Sequence, residues 1–147
     1  MKNHKRIALP KRIGWPVLAF LVFLDAFVTV SAGREGNPLW RSVVESYGIN
    51  ALWFLAAAVL ALFYLVIKVL GWYARRFERL PQAEEIILTV LTIAFVTYDI
   101  YIIFALPYFG FLGSRSHYAV IPVLLVPVLI YSIWVEWQRR LHRNKNL

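Results

Sequence analysis

Eight carboxylates are the side chains in this sequence best suited to proton or cation chemistry. Only two of them, Asp25 and Asp99, fall deep inside long apolar runs. The other six (Glu35, Glu45, Glu78, Glu84, Glu85 and Glu136) fall in connections or at the edges of those runs. An aspartate at the centre of a membrane helix costs about 2.5–3.5 kcal/mol to insert. Two such residues are a burden unless the chain uses them, so each is expected to turn inward, toward the other or toward a common polar cavity. Two carboxylates in one dry site cannot both ionise cheaply; one keeps its proton, or a cation stands between them.

The neighbouring residues extend a polar seam. Thr29 stands one turn beyond Asp25 on the same face, and Glu85, Thr89, Thr92 and Asp99 fall at spacings of four, three and seven, a single helical stripe. Tyr98 and Tyr101 flank it with hydroxyls. The resulting candidate proton- or cation-binding set is Asp25, Asp99, Thr29 and Thr92, with Glu35, Asn37 and Tyr98 as contributors. The competing reading is structural: a protonated aspartate can bond across helices and fix their packing, at about 0.6–2 kcal/mol per bond. No catalytic residue is assigned. Cysteine is absent, which removes disulfides, thiolate metal sites and cysteine nucleophiles. Besides the acids, Ser31 and the tyrosines are the reactive side chains near the apolar interior. His4, His117 and His142 lie in tails and a loop, so haem ligation between helices is not expected. No cofactor is expected, and whether a metal joins the acids is left open.

The elements that must hold these residues are legible from composition. Of 147 residues, 61% are hydrophobic and 16% charged, against about 25% charged in a soluble domain; the mean hydropathy is +0.63. Four stretches are nearly or wholly free of charge: 13–32, 49–72, 86–106 and 118–137. Each has about the 20 residues a helix needs to cross a bilayer, where backbone groups must bond internally. The expected fold is all-α, an integral membrane four-helix bundle forming one domain over 1–147. Asp25 lies twelve residues past Ile13 and Asp99 thirteen past Ile86, so both should sit at a similar depth, about 18–20 Å along their helices. The basic start of the first run and Val30-Ser31-Ala32 before Gly33 resemble a cleaved leader. The run is longer than the apolar part of most leaders and carries Asp25, so it is expected to stay as a span.

The net charge of +8 is unevenly placed. Lys2, Lys5, Arg6, Lys11 and Arg12 precede the first span, Arg75, Arg76 and Arg79 lie between the second and third, and Arg139, Arg140, Arg143 and Lys145 follow the fourth. The other connections hold only Arg34, Arg41 and Arg115. This is the positive-inside pattern: a multi-pass protein of the plasma membrane, N-in and C-in, with both termini cytoplasmic. Lys68, about a turn inside the second span, can snorkel to the same side. Anionic headgroups of membrane lipids are the expected partners of these cations; nucleic acid is not expected.

The connections are short. Asn37-Pro38 reads as a helix cap followed by proline at the first helical position. Leu39, Trp40, Val43, Val44 and Tyr47 then share one face, and Gly48 ends the element, giving a short interfacial helix between spans 1 and 2. Glu84 and Glu85 favour the N-terminus of span 3 through the helix dipole. The outer loop 107–117 is aromatic and glycine-rich, and Pro122 and Pro127 should kink span 4. Trp72, Tyr73, Trp134 and Trp137 read as a cytoplasmic aromatic belt.

Asp25-Ala-Phe-Val-Thr29 followed by Glu35-Gly-Asn37-Pro38 resembles a group of uncharacterised small prokaryotic four-span membrane proteins with a D-x3-T … E-x-N-P pattern. The resemblance covers about 20 residues and implies no activity, since the group has none assigned. Tyr98-Asp99 is also similar to the Y-D half of the intramembrane aspartyl proteases. Val22-Phe23-Leu24 before Asp25 departs from their G-x-G-D half, and four spans are fewer than that chemistry uses. Three classes of function follow. The first is a small transport or binding protein for a proton, cation or cationic solute. The second is an accessory subunit of a membrane complex, and the last an intramembrane carboxylate enzyme. A bundle this small is expected to act as a homo-oligomer or within a larger membrane assembly.

Overall fold

A computed structural model describes residues 7–33, 35, 37–78, 80, 82–105 and 120–144. The expected outer loop 107–117, the tail residues Lys2, His4, Lys5, Arg6 and Lys145, and the loop residues Arg34, Arg79, Arg115 and His117 lie outside them. The described residues form five helices: α1 (Lys11–Ala32), α2 (Pro38–Tyr47), α3 (Ala51–Phe77), α4 (Ala83–Ile100) and α5 (Val120–Asn144). A π-turn, Tyr101–Ala105, continues α4. No strand occurs among the described residues.

The four long helices are each long and apolar enough to cross a membrane. Their outward surfaces agree. Phe54 is 82% exposed and Phe20 65%, and such faces are at rest in hydrocarbon rather than water. Together these features suggest a membrane protein. Helix α2 is the short amphipathic element expected between the first two spans. The Asn37 carbonyl accepts its first backbone bonds, from Trp40 and Arg41, which makes Asn37 the cap residue. Gly33, at φ 68°, ends α1 in the left-handed conformation that a side chain would disfavour.

Helix α4 is the organising element, packing extensively against α1, α3 and α5. Leu18, Val22 and Ala26, one face of α1 at a spacing of four, meet Leu52, Ala56 and Ile67 of α3 and Leu88 of α4 in the buried core. Helix α5 is attached to one side, on α4; Val135 is its one buried large apolar residue among those described. The segment ahead of α1 is strapped over the bundle. The Leu9 amide donates to Thr89 Oγ1 at 2.9 Å, and the Tyr131 hydroxyl of α5 donates to the Ile7 carbonyl at 3.0 Å. Pro127 lies inside α5, while Pro122 occupies its first turn, where a missing amide costs no helical bond.

The largest departure from the expected picture is at the start of α4. Glu84 does more than complement a helix dipole: it is 4% exposed and sits at the centre of a charge knot. Lys11 of α1 reaches Glu84 Oε2 at 2.7 Å, Lys68 of α3 reaches the same oxygen at 3.1 Å, and Arg75 of α3 bonds Oε1. Lys68, Gly71 and Arg75 share one face of α3 at spacings of three and four. Glycine in the middle position leaves the room that Glu84 fills; a Cβ there would stand 2.5 Å from Glu84 Cγ. Lys68 is therefore committed to a partner. Helix α3 runs five residues past the expected end at Trp72, and that extension carries Arg75 into place.

A buried carboxylate held by three cations is costly to neutralise, since Lys68 and Arg75 then lose this partner and Lys11 keeps only Glu85, at 3.9 Å. Breaking a fully buried pair costs about 3–5 kcal/mol. The three cations here remain about 40–45% exposed, which reduces the penalty. Glu84→Gln is expected to lower stability by about 2–3 kcal/mol, and Lys11→Met by less than half as much, since two cations still face Glu84. Unfolding of the purified chain in mixed micelles by denaturing detergent measures both. Equal effects would show that the knot is not centred on Glu84.

Candidate functional site

A cavity of about 370 Å³ opens between α1, α3 and α4, with α2 and Leu124 of α5 at its margin. Its polar wall is made by Asp25 and Thr29 of α1, Glu35 and Asn37 of the following turn, and Tyr98 of α4. The remainder is carbon, including Leu52, Leu55 and Val59 of α3. Four aromatic side chains, Trp40, Phe63, Phe95 and Tyr98, border it. Phe63 and Phe95 meet edge to face, their ring centres 5.5 Å apart. No lysine, arginine or histidine lines the cavity among the described residues.

The local sequence explains how these groups converge. Val22, Asp25, Ala26 and Thr29 repeat at three and four on α1, so one face carries both packing residues and the acid. Gly33 reverses the chain past the end of α1, bringing Glu35 back over that face. Glu35 Oε1 accepts the Asn37 amide at 2.6 Å, a carboxylate fixing the turn that starts α2. Glu35 is thus held by the backbone while bordering the cavity.

Five of the seven sequence candidates, Asp25, Thr29, Glu35, Asn37 and Tyr98, meet at this cavity; Thr92 and Asp99 are not in its lining. The Thr92 hydroxyl donates to the Leu88 carbonyl of its own helix at 2.8 Å, and the Thr89 hydroxyl likewise donates to the Glu85 carbonyl. The polar stripe of α4 is therefore largely spent on its own backbone. Asp99 is 4% exposed, and both its carboxylate oxygens lack a hydrogen-bond partner among the described residues. It remains in electrostatic reach of Asp25, and Asp25 of Glu35. Tyr98, beside Asp99, feels all three acids. Asp25 and Asp99 are consequently near neighbours in charge without lining one space.

Two features escaped the sequence reading. The cavity's aromatic border mixes residues of α2, α3 and α4 that have no common spacing. The π-turn follows Asp99 by two residues, and nothing in Tyr101–Ala105 announces it. Such turns occur often at functional sites. No group of three or more metal-ligating side chains occurs among the described residues.

Comparison with protein-family models, with curated proteins and with solved structures gave no match. Neither the prokaryotic resemblance nor a transport role therefore has support from a relative.

A buried, unpartnered acid is a liability to folding, with a cost of about 1–3 kcal/mol. If Asp99 were helix-to-helix glue, its removal would weaken the bundle. The absence of a bonded partner among the described residues predicts the reverse. Asp99→Leu should leave stability unchanged or raise it by about 1–2 kcal/mol, and Asp99→Asn should not lower it. Detergent denaturation followed by circular dichroism checks this; a loss above about 1 kcal/mol in both variants would restore the structural role.

Proposed function

We propose that the chain is a small multi-pass protein of the plasma membrane whose buried acids, Asp25 foremost and Asp99 beside it, take a proton, a cation or a cationic solute for binding or transport. The observation that carries this reading is the cavity's one-sided charge. Asp25 and Glu35 face a space with no basic side chain among the described residues, so a cation entering it supplies the counter-charge that those residues do not. Thr29, Asn37 and Tyr98 add neutral oxygen ligands, while Asp99 and Thr92 lie outside the cavity lining. A proton and a cation compete for the same carboxylates, which is the chemical basis of coupled exchange.

The orientation is N-in and C-in. Lys11, Arg12, Arg75 and Arg76 gather at the Glu84 end of the bundle. Tyr131 bonds Ile7, so Arg139 and Arg140, two turns further along α5, fall at that end too. This basic end faces the cytoplasm and anionic lipid headgroups, and the acidic cavity lies toward the opposite side. The second reading, an accessory subunit of a membrane complex, is favoured by α5. This helix packs on α4 from one side and leaves most of its length uncovered, as an assembling helix would. A homo-oligomer and a hetero-complex both fit that face.

The test uses vesicles reconstituted with the purified chain, loaded with a pH-sensitive dye and given a gradient of sodium, potassium or tetramethylammonium. Wild-type vesicles should show cation-driven proton movement above protein-free vesicles. Asp25→Asn should reduce it by at least about tenfold and Asp99→Asn by a smaller factor, both with unchanged helicity and micelle size. Wild-type rates in Asp25→Asn would overturn the reading. If co-purifying partners were lost instead, the subunit role would stand.

A further inference from the structure

Within the class of cations, size and wall chemistry narrow the choice. A water molecule claims about 30 Å³ of liquid volume, so 370 Å³ corresponds to about twelve waters or a similar number of heavy atoms. A bare proton or a dehydrated metal ion leaves most of that space empty. Dehydrating a divalent ion also needs several hard oxygen ligands in close array, and the cavity offers two carboxylates, with no group of three or more His, Asp or Glu side chains among the described residues. A hydrated ion would set its water shell against Leu52, Leu55 and Val59, which offer no hydrogen bonds. The wall suits an occupant that is itself largely carbon.

The polar groups occupy one side of this space and the aromatic groups border it. Asp25 and Glu35 supply negative charge, and Trp40, Phe63, Phe95 and Tyr98 supply ring systems. Rings bordering a desolvated pocket attract organic ammonium groups, whose charge is diffuse and weakly hydrated. Asp99, next in sequence to Tyr98, is buried and without a bonded partner among the described residues.

We infer that the cavity is a binding site for a monovalent organic cation of about a dozen heavy atoms, with an ammonium group beside Asp25 and Glu35 and an apolar or aromatic body along α3. This assignment rests on the cation-site reading above and specifies its ligand. Selectivity follows from the same walls. A neutral molecule of the same shape leaves the carboxylates without a counter-charge, and an anion is repelled by them. Neutralising Asp25 would leave Glu35 as the remaining anion and weaken the attraction.

Benzyltrimethylammonium has the required size and charge. Its binding to the full chain in lipid nanodiscs is read by isothermal titration calorimetry, beside tetramethylammonium, sodium and benzenesulfonate. Benzyltrimethylammonium should bind at least about tenfold more tightly than tetramethylammonium or sodium, and benzenesulfonate should not bind. Asp25→Asn should weaken it by about 10- to 100-fold, the effect of one charge-assisted contact. Val59 of α3 and Ala94 of α4 line the cavity, and Ala94→Phe and Val59→Phe, which fill it, should abolish binding of benzyltrimethylammonium in chains of unchanged helicity. If Asp25-dependent binding appears for sodium but not for benzyltrimethylammonium, the ligand class is wrong and the acidic site survives. If neither cation binds to a folded chain, both fail. Binding that persists in both cavity-filling variants places the ligand elsewhere and overturns the assignment.

Discussion

A carboxylate taken out of water must find charge or hydrogen bonds to replace it, and the two buried acids of α4 meet that demand in opposite ways. Glu84 and Asp99 are equally buried, at 4% exposure each, on one helix and about 22 Å apart along it. Glu84 is saturated by Lys11, Lys68 and Arg75. Asp99 has no bonded partner among the described residues. The rest of the molecule is arranged around that contrast. One end of α4 is an anchor where three elements are tied together, and the other holds a carboxyl group without a bonded partner among the described residues, near an open cavity.

The anchor explains why the bundle can tolerate the cavity. Glu84 ties α4 to both α1 and α3, and the Leu9–Thr89 and Tyr131–Ile7 bonds bring the leading segment and α5 to that same region. The helices are thus fixed at the basic end by directed contacts, and in the middle by Leu18, Ile67 and Leu88. Toward the cavity, packing gives way to space, with Ala26 and Ala56 as the small residues at its base. Stability is spread unevenly in such a bundle, and binding regions are commonly drawn from the less tightly held part of a fold.

Much of this architecture was legible because it depends on local pattern. Charge-free runs of about twenty residues marked the long helices, Asn37-Pro38 marked the start of α2, and the spacing of Asp25 and Thr29 placed them on one face. Long-range choice was not legible. Lys68, Gly71 and Arg75 form a visible stripe on α3, yet Glu78, Glu84 and Glu85 were all near enough in sequence to answer it. Only the packing of α4 on Gly71 selects Glu84. Likewise, Asp25 and Asp99 were expected to share a pocket because their depths match. Depth fixes position along a helix but not its rotation, and a rotation of α4 decides that Tyr98 rather than Asp99 lines the wall. The hydroxyls of Thr89 and Thr92 turned to their own carbonyls, an option every helical threonine carries and no spacing rule excludes.

The separation of Asp25 from Asp99 by the cavity wall has its own chemical consequence. Two acids lining one space would compete for one occupant. On the proposed reading, a cation would meet Asp25 and Glu35 directly while Asp99, absent from the cavity lining, would act only through the field, which is weakly screened in a medium of low dielectric. Asp99 would then sense the occupant without touching it. The adjoining π-turn is the part of α4 where backbone bonding departs from the regular helix. On the proposed reading, a change at Asp99 would be delivered beside this π-turn, which begins two residues further along the chain, and that proximity is how occupancy of the cavity would be felt beyond it.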